Sequence, residues 1–284
     1  IKALIHETQV KMAFEYACKL DVMSITPGNV FLNSPGYGMT HKDFLQSSMA
    51  CSDIMCEKNI NFGVKILESI KASMNIVGCN TNLGIVLLCT PIIEAIYMNK
   101  DHIFLPNNLK KVINNITIQD TKLVYRAINI ANAGGMNSKD KFDLKNSDKN
   151  DFTLLEAMKY ARSYDSIANE YSSYFHHIIN NLSINWRNYF NLMKNDEYAT
   201  TATYLEQISK YPDTLIARKH GIKVSIRVSE RFKDLAKEYC ASKMPNGLNN
   251  KLLLVDSELK MQGLNPGTTA DVVVASIFIN RLGL

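Results

Sequence analysis

The sequence predicts an all-α protein: a single multi-helix globular domain over residues 1–284, with a ligand pocket at helix N-termini. Three observations carry this expectation. Apolar residues recur at three- and four-residue spacing along most of the chain, the period of a helix with one buried face. Alternation of period two is nearly absent, its best cases being "IKVSIRVS" (222–229) and "KLLLV" (251–255), which allow at most a short hairpin. Finally, Thr-x-x-Asp/Glu recurs where the periodic stretches begin, the spacing at which a threonine and an acid cap a helix start reciprocally.

The elements follow in order. The opening "IKALIHETQVKMAFEYACKL" is amphipathic and predicts a helix over 10–20, rather than a signal peptide. Thr40-x-x-Asp43 introduces a helix over 44–55, and another follows over 62–77. The run "GIVLLCTPIIEAI" lies in a helix over 83–98 that Pro91 should bend by removing one ladder bond. Thr117-x-x-Asp120 precedes a helix over 123–131. Residues 134–151, rich in Gly, Asn, Ser, Asp and Lys, read as a polar surface loop. Thr153-x-x-Glu156 opens a long helix over 154–179, in which Asp165 falls mid-helix with Arg162 three residues before it. Helices over 198–208 and 222–239 follow, with Arg218, Lys219 and His220 ahead of Gly221 at a helix C-terminus. The last helix, 272–282, is entered through the turn Asn265-Pro266-Gly267 and the cap pattern Thr268-x-x-Asp271.

Composition narrows the function classes. With 46% apolar and 21% charged residues the chain has the make-up of a globular protein with a sizeable core. The net charge of +5 is mild and the basic residues are scattered, so a nucleic-acid surface is not expected, whereas a small anionic ligand is compatible. The longest apolar run is broken by Thr90, Pro91 and Glu94 and falls short of the ~20 residues of a membrane span. The six cysteines form no Cys-x-x-Cys pair and sit mostly in apolar stretches, which points to a reducing, cytoplasmic setting. Serine-nucleophile and dinucleotide-binding signatures are absent, and the adjacent His176 and His177 lack zinc-site spacing. The cap pattern itself has two readings: simple helix caps, or helix ends that converge on a polyphosphate with the carboxylates holding Mg²⁺.

Six blocks in order resemble the triphosphoribosyl-dephospho-coenzyme A synthase family: "LDVMSITPGNVFLNSPGYGMTHKDFLQSS" (20–48), "GCNTNLGIVLL" (78–88), "DTKLVYRAINIANAGG" (120–135), "LLEAMKYARSYDSIANEY" (154–171), "YPDTLIARKHG" (211–221) and "LKMQGLNPGTTADVVVASIF" (259–278). The citrate-lyase branch has Asn-Thr-His-Lys-Gly where this chain has Asn80-Thr81-Asn82-Leu83-Gly84, and Pro-Lys-Pro-Gly where it has Ile25-Thr26-Pro27-Gly28. In these blocks the chain is most similar to a divergent archaeal and methylotroph branch.

The resemblance implies an enzyme that moves a 5-triphosphoribosyl group from ATP to a hydroxyl acceptor such as 3'-dephospho-CoA and releases adenine. It also implies roles. His41, Asp43 and Asp271 are the catalytic candidates, His41 as proton donor near the purine. Asn80, Thr81, Asn82 and Gly84, with Asn265, Gly267 and Thr268, are the nucleotide contacts, and Arg218 and Lys219 the triphosphate clamps. Asp43, Asp120, Asp165 and Asp271 are the carboxylates offered to Mg²⁺, with ATP as substrate. Two rival readings stand beside this: the same fold and donor with another cofactor precursor as acceptor, and a helical nucleotide-binding protein without turnover. Assembly into a homo-oligomer is left open.

Overall fold

A computed structural model describes residues 5–98, 105–132 and 151–284. Fourteen α-helices account for the regular structure of these residues: α1 (Glu7–Met23), α2 (His41–Met55), α3 (Phe62–Val77), α4 (Leu83–Tyr97), α5 (Leu105–Asn114), α6 (Ile118–Ile130), α7 (Leu154–Ala161), α8 (Ser166–Ser172), α9 (Ser183–Met193), α10 (Asp196–Lys210), α11 (Thr214–His220), α12 (Ile222–Ala241), α13 (Asn249–Met261) and α14 (Gly267–Arg281). A π-turn segment (Ile178–Leu182) leads into α9 and a 3₁₀ turn (Pro245–Leu248) into α13. Strand pairing among the described residues is limited to two isolated bridges, Phe31 with Ser34 and Gly36 with Met39. The two stretches with a trace of alternation, 222–229 and 251–255, are helical, lying in α12 and α13.

Two helices form the centre. α4 is apolar on every face and buried along almost its whole length, and α14 is buried from Thr268 to Ile279 apart from Asp271. A helix without a polar face cannot sit at the surface, so the amphipathic helices cover these two. α14 packs against α1, α4, α9, α10 and α11, which brings elements from both ends of the chain around it. Pro91 stays inside α4, which runs on to Tyr97, so it does not divide that element.

Three expectations are corrected. The single helix over 154–179 is two short helices and a π-turn, because Asp165 caps a new start by accepting from Ala168 N at 3.0 Å. Tyr174 and Phe175 then take positive φ, ending α8. The cap pattern at α14 is not formed: the helix begins at Gly267 behind Pro266, which has no capping side chain, and Thr268 is buried inside the first turn. The helices α5, α9 and α13 were not expected as elements. The expected loop 134–151 lies, except for Asp151, outside the described residues.

The connection from α1 to α2, residues 24–40, is long but fixed at several points. Asp256 of α13 accepts from Gly28 N at 2.8 Å and from Ser34 Oγ at 2.5 Å, and Lys260 Nζ donates to Ser34 O at 2.8 Å. Tyr204 Oη donates to Pro27 O at 2.7 Å, and Tyr37 Oη to both Gly28 O (2.7 Å) and Leu264 O (2.9 Å). Gly28 takes φ +86°, and a Cβ there would stand 2.8 Å from both Leu259 and Pro266, so only glycine lets the strap approach the turn before α14. The strap thereby delivers Asn29 and Met39 to the same place as the start of α14.

Candidate active site

One pocket gathers residues from six parts of the fold. Asp21 comes from the C-terminal end of α1, Asn29 and Met39 from the strap, Phe44 from α2, Asn80, Thr81, Leu83, Gly84 and Ile85 from the start of α4, Leu215 from α11, and Asn265, Gly267, Ala270 and Asp271 from the entrance of α14. Its polar lining consists of acids, amides and a threonine.

The two acids dominate the electrostatics. Asp21 is buried to 2% exposure, and its Oδ1 has no hydrogen-bond partner among the described residues. Burial pushes its carboxyl up to about 7. Asp271 is half-buried at the pocket, and its pKa is raised well above the ordinary carboxylate range, by burial first and then by the charges of Asp21 and Asp213, with Arg218 opposing. A desolvated carboxylate that feels the charge of a second favours a bound proton or a nearby cation. Asn265 Oδ1 is a second buried oxygen of the pocket lining without a hydrogen-bond partner among the described residues. Carboxylate and amide oxygens are the donors that Mg²⁺ takes, so the residues present fit that ion.

The entrance of α14 is held by Asp213, a buried carboxylate of α11's N-cap. It accepts from Ile216 N (2.9 Å), Thr269 N (2.8 Å) and Thr269 Oγ1 (2.8 Å), tying the two helix starts together. At the other wall, Asn80 Oδ1 accepts from Leu83 N at 3.2 Å and shapes the first turn of α4. Gly84 meets α14 so closely that an ideal Cβ would lie 2.0 Å from Asp271 Oδ2.

The residues singled out from the sequence divide into three groups. Asn80, Thr81, Gly84, Asn265, Gly267 and Asp271 line this pocket. His41, Asp43, Asn82, Arg218, Lys219 and Thr268 are not among its lining. Asp43 caps α2, accepting from Thr40 N at 2.6 Å and Thr40 Oγ1 at 2.9 Å; those bonds hold its pKa below the usual value, and its charge reaches Cys79 next to Asn80. Asn82 is buried behind the wall, 2.7 Å from Ser47 Oγ; oriented to satisfy both ends of the amide, it accepts from Ser47 and Ser48 and donates to Thr81 O. Arg218 is ion-paired to Asp165 at 2.8 Å, and Lys219 is exposed.

The third group lies elsewhere. Asp120 caps α6 with Thr117 and spends its Oδ1 on Gly63 N at 2.9 Å, so it joins α6 to α3. Asp165 is likewise used as a cap and an ion-pair partner. The four acids offered to a metal therefore do not meet, and among the described residues no three His, Cys, Asp or Glu side chains form a metal-binding group. Asp21 and Asn29 escaped the sequence reading. The signal for Asp21 was the acid-Val pair at the head of the first block, "LDV", which gave no spacing or charge pattern of its own.

The class of fold is all-helical, with one pocket that gathers acid and amide groups from distant segments of the chain. Residues 7–284 match the model of the ATP:dephospho-CoA triphosphoribosyl transferase family. The chain belongs to that family, whose members are transferases that move a triphosphoribosyl group from ATP to dephospho-CoA. A crystal structure from Archaeoglobus fulgidus, provisionally named a triphosphoribosyl-dephospho-CoA synthase, shares the fold with a TM-score of 0.58 and 24% identity over 84% of this chain and 96% of that one. No curated protein shows a significant match.

Proposed function

We propose that this chain binds ATP with Mg²⁺ in the pocket between the starts of α4 and α14 and there passes the triphosphoribosyl group to the hydroxyl of dephospho-CoA. The observation that carries this reading is the meeting of Asp21 and Asp271 with Asn80 and Asn265 in one pocket, from segments far apart in sequence. Asp21, Asp271 and the amide oxygen of Asn265 would hold Mg²⁺, which when bound supplies positive charge against the triphosphate.

The remaining work falls to the chain's own groups. The acceptor oxygen forms a bond to C1′ of the ribose while the bond from C1′ to adenine breaks, and the triphosphate stays on the transferred sugar. Asp271, whose carboxylate makes no hydrogen bond among the described residues, takes the hydroxyl proton. Adenine leaves after accepting a proton from solvent at the pocket mouth. Asn29 and Asn80 orient the ribose, and Arg218, close enough to act on Asp271, draws the triphosphate towards α11. The enclosed floor keeps water from replacing the acceptor. No described helix is long and apolar enough to cross a membrane. With six free cysteines, that suits a cytoplasmic enzyme acting on small molecules rather than nucleic acid.

The test is free adenine by chromatography after incubating protein, Mg²⁺ and ATP with and without dephospho-CoA. Adenine should appear only with the acceptor, and Asp21→Asn should lower its rate at least about 100-fold, in line with loss of a charge that holds the reacting groups in place. Release of ADP and phosphate in place of adenine would refute the transferase reading for this chain.

A further inference from the structure

We infer that Gly84 is a positioning residue, whose missing side chain makes the space in which the Asp271 carboxylate stands at the pocket wall. This rests on the reading of the pocket given above, but it assigns Gly84 a role toward the protein and not toward the nucleotide. An ideal Cβ on Gly84 would lie 2.0 Å from Asp271 Oδ2, 2.5 Å from its Cγ and 3.0 Å from Ile167 Cδ1. All three are side-chain atoms, so the nearest obstacle to a methyl group is the carboxylate and not a neighbouring helix's backbone. What must give is the carboxylate, which would have to withdraw by roughly 1 Å or more to reach ordinary contact.

The position is otherwise a poor one for glycine. Residue 84 sits in the first turns of a buried apolar helix, where alanine is the better helix former and where no left-handed backbone is needed. The other glycines at the site are explained differently. Gly28 takes a positive φ, and a Cβ on Gly267 would meet Leu215 and not a charged group. At position 84 the absent methyl is replaced by the acid itself, so α4 and α14 meet backbone to carboxylate. Asp271 thus has its place fixed from two sides, by Gly84 across the pocket and by Asp213 through Thr269 on its own helix.

The experiment is a double-mutant cycle of Gly84→Ala and Asp271→Ala, read by melting temperature, by Mn²⁺ affinity in the presence of ATP, and by adenine release with dephospho-CoA. Gly84→Ala alone should melt at or above the wild-type temperature, weaken Mn²⁺ binding at least about tenfold and lower kcat/KM about 100-fold, the effect of a misplacement on the scale of 1 Å. In the Asp271→Ala background the same substitution should change neither the remaining Mn²⁺ affinity nor the remaining rate, and should raise the melting temperature. Equal losses in both backgrounds would overturn the assignment, since the methyl would then act without the carboxylate. Wild-type Mn²⁺ affinity in Gly84→Ala would overturn it too. Should the wild-type protein release no adenine, the transferase reading fails, while Mn²⁺ affinity and melting temperature still decide the contact.

Discussion

Single side chains here separate into those satisfied by the fold and those left wanting. Asp120 and Asp213 are fully engaged, whereas Asp21 keeps an orphaned oxygen in the pocket. Glu170 lies between these cases: it is buried, it accepts from Ile178 N at 3.3 Å, and burial pushes its carboxyl up to about 7. A carboxyl that titrates higher in the folded than in the unfolded chain binds more protons when folded, so stability falls as pH rises from about 4.5 through about 7. Glu170→Gln should remove this slope. Urea unfolding at pH 5 and pH 8 should show the wild type losing roughly 2–3 kcal/mol more than the variant between the two. An equal loss in both proteins would place the dependence elsewhere. At this scale the sequence was partly legible. Asp271, Asn80, Thr81, Gly84, Asn265 and Gly267 could be found because they sit in ordered motifs, but Asp21 could not, since burial without a partner is a property of the packed chain.

Helices with a clear apolar face were readable from their period, and their threonine caps at α2, α6 and α7 formed as the spacing implied. Failures came where tertiary contacts overrode local pattern. The long helix expected over 154–179 breaks at Asp165 because Arg218, from α11, and Ala168 N both claim that carboxylate. The threonine-acid pattern at α14 went unused because Asp213 already satisfies Thr269 from another helix, leaving Asp271 to face the pocket. Asp213 is therefore the joint between α11 and α14. Asp213→Ala would strand three donors in a buried place, and it should cost about 3–5 kcal/mol in denaturant unfolding. Asp213→Asn, which keeps one oxygen acceptor, should cost less and retain more activity. A loss below about 1 kcal/mol for the alanine variant would show that the two helix starts hold without it.

Across the whole chain, α14 is the shared neighbour of helices from both ends, and the strap after α1 is tied to α13. If these shared contacts join the chain into one cooperative unit, calorimetric unfolding should be one transition, with calorimetric and van't Hoff enthalpies equal within error. Two resolved transitions would mean that the parts fold separately. The order of helices along the chain has a further consequence during synthesis. Of the two central helices, α14 is the last of the described helices to leave the ribosome, and α1, α4, α9, α10 and α11 must wait with the apolar faces meant for it uncovered. A nascent chain halted before α14 thus lacks half of its acid pair as well as its centre, and it presents to the cell the kind of surface that chaperones hold.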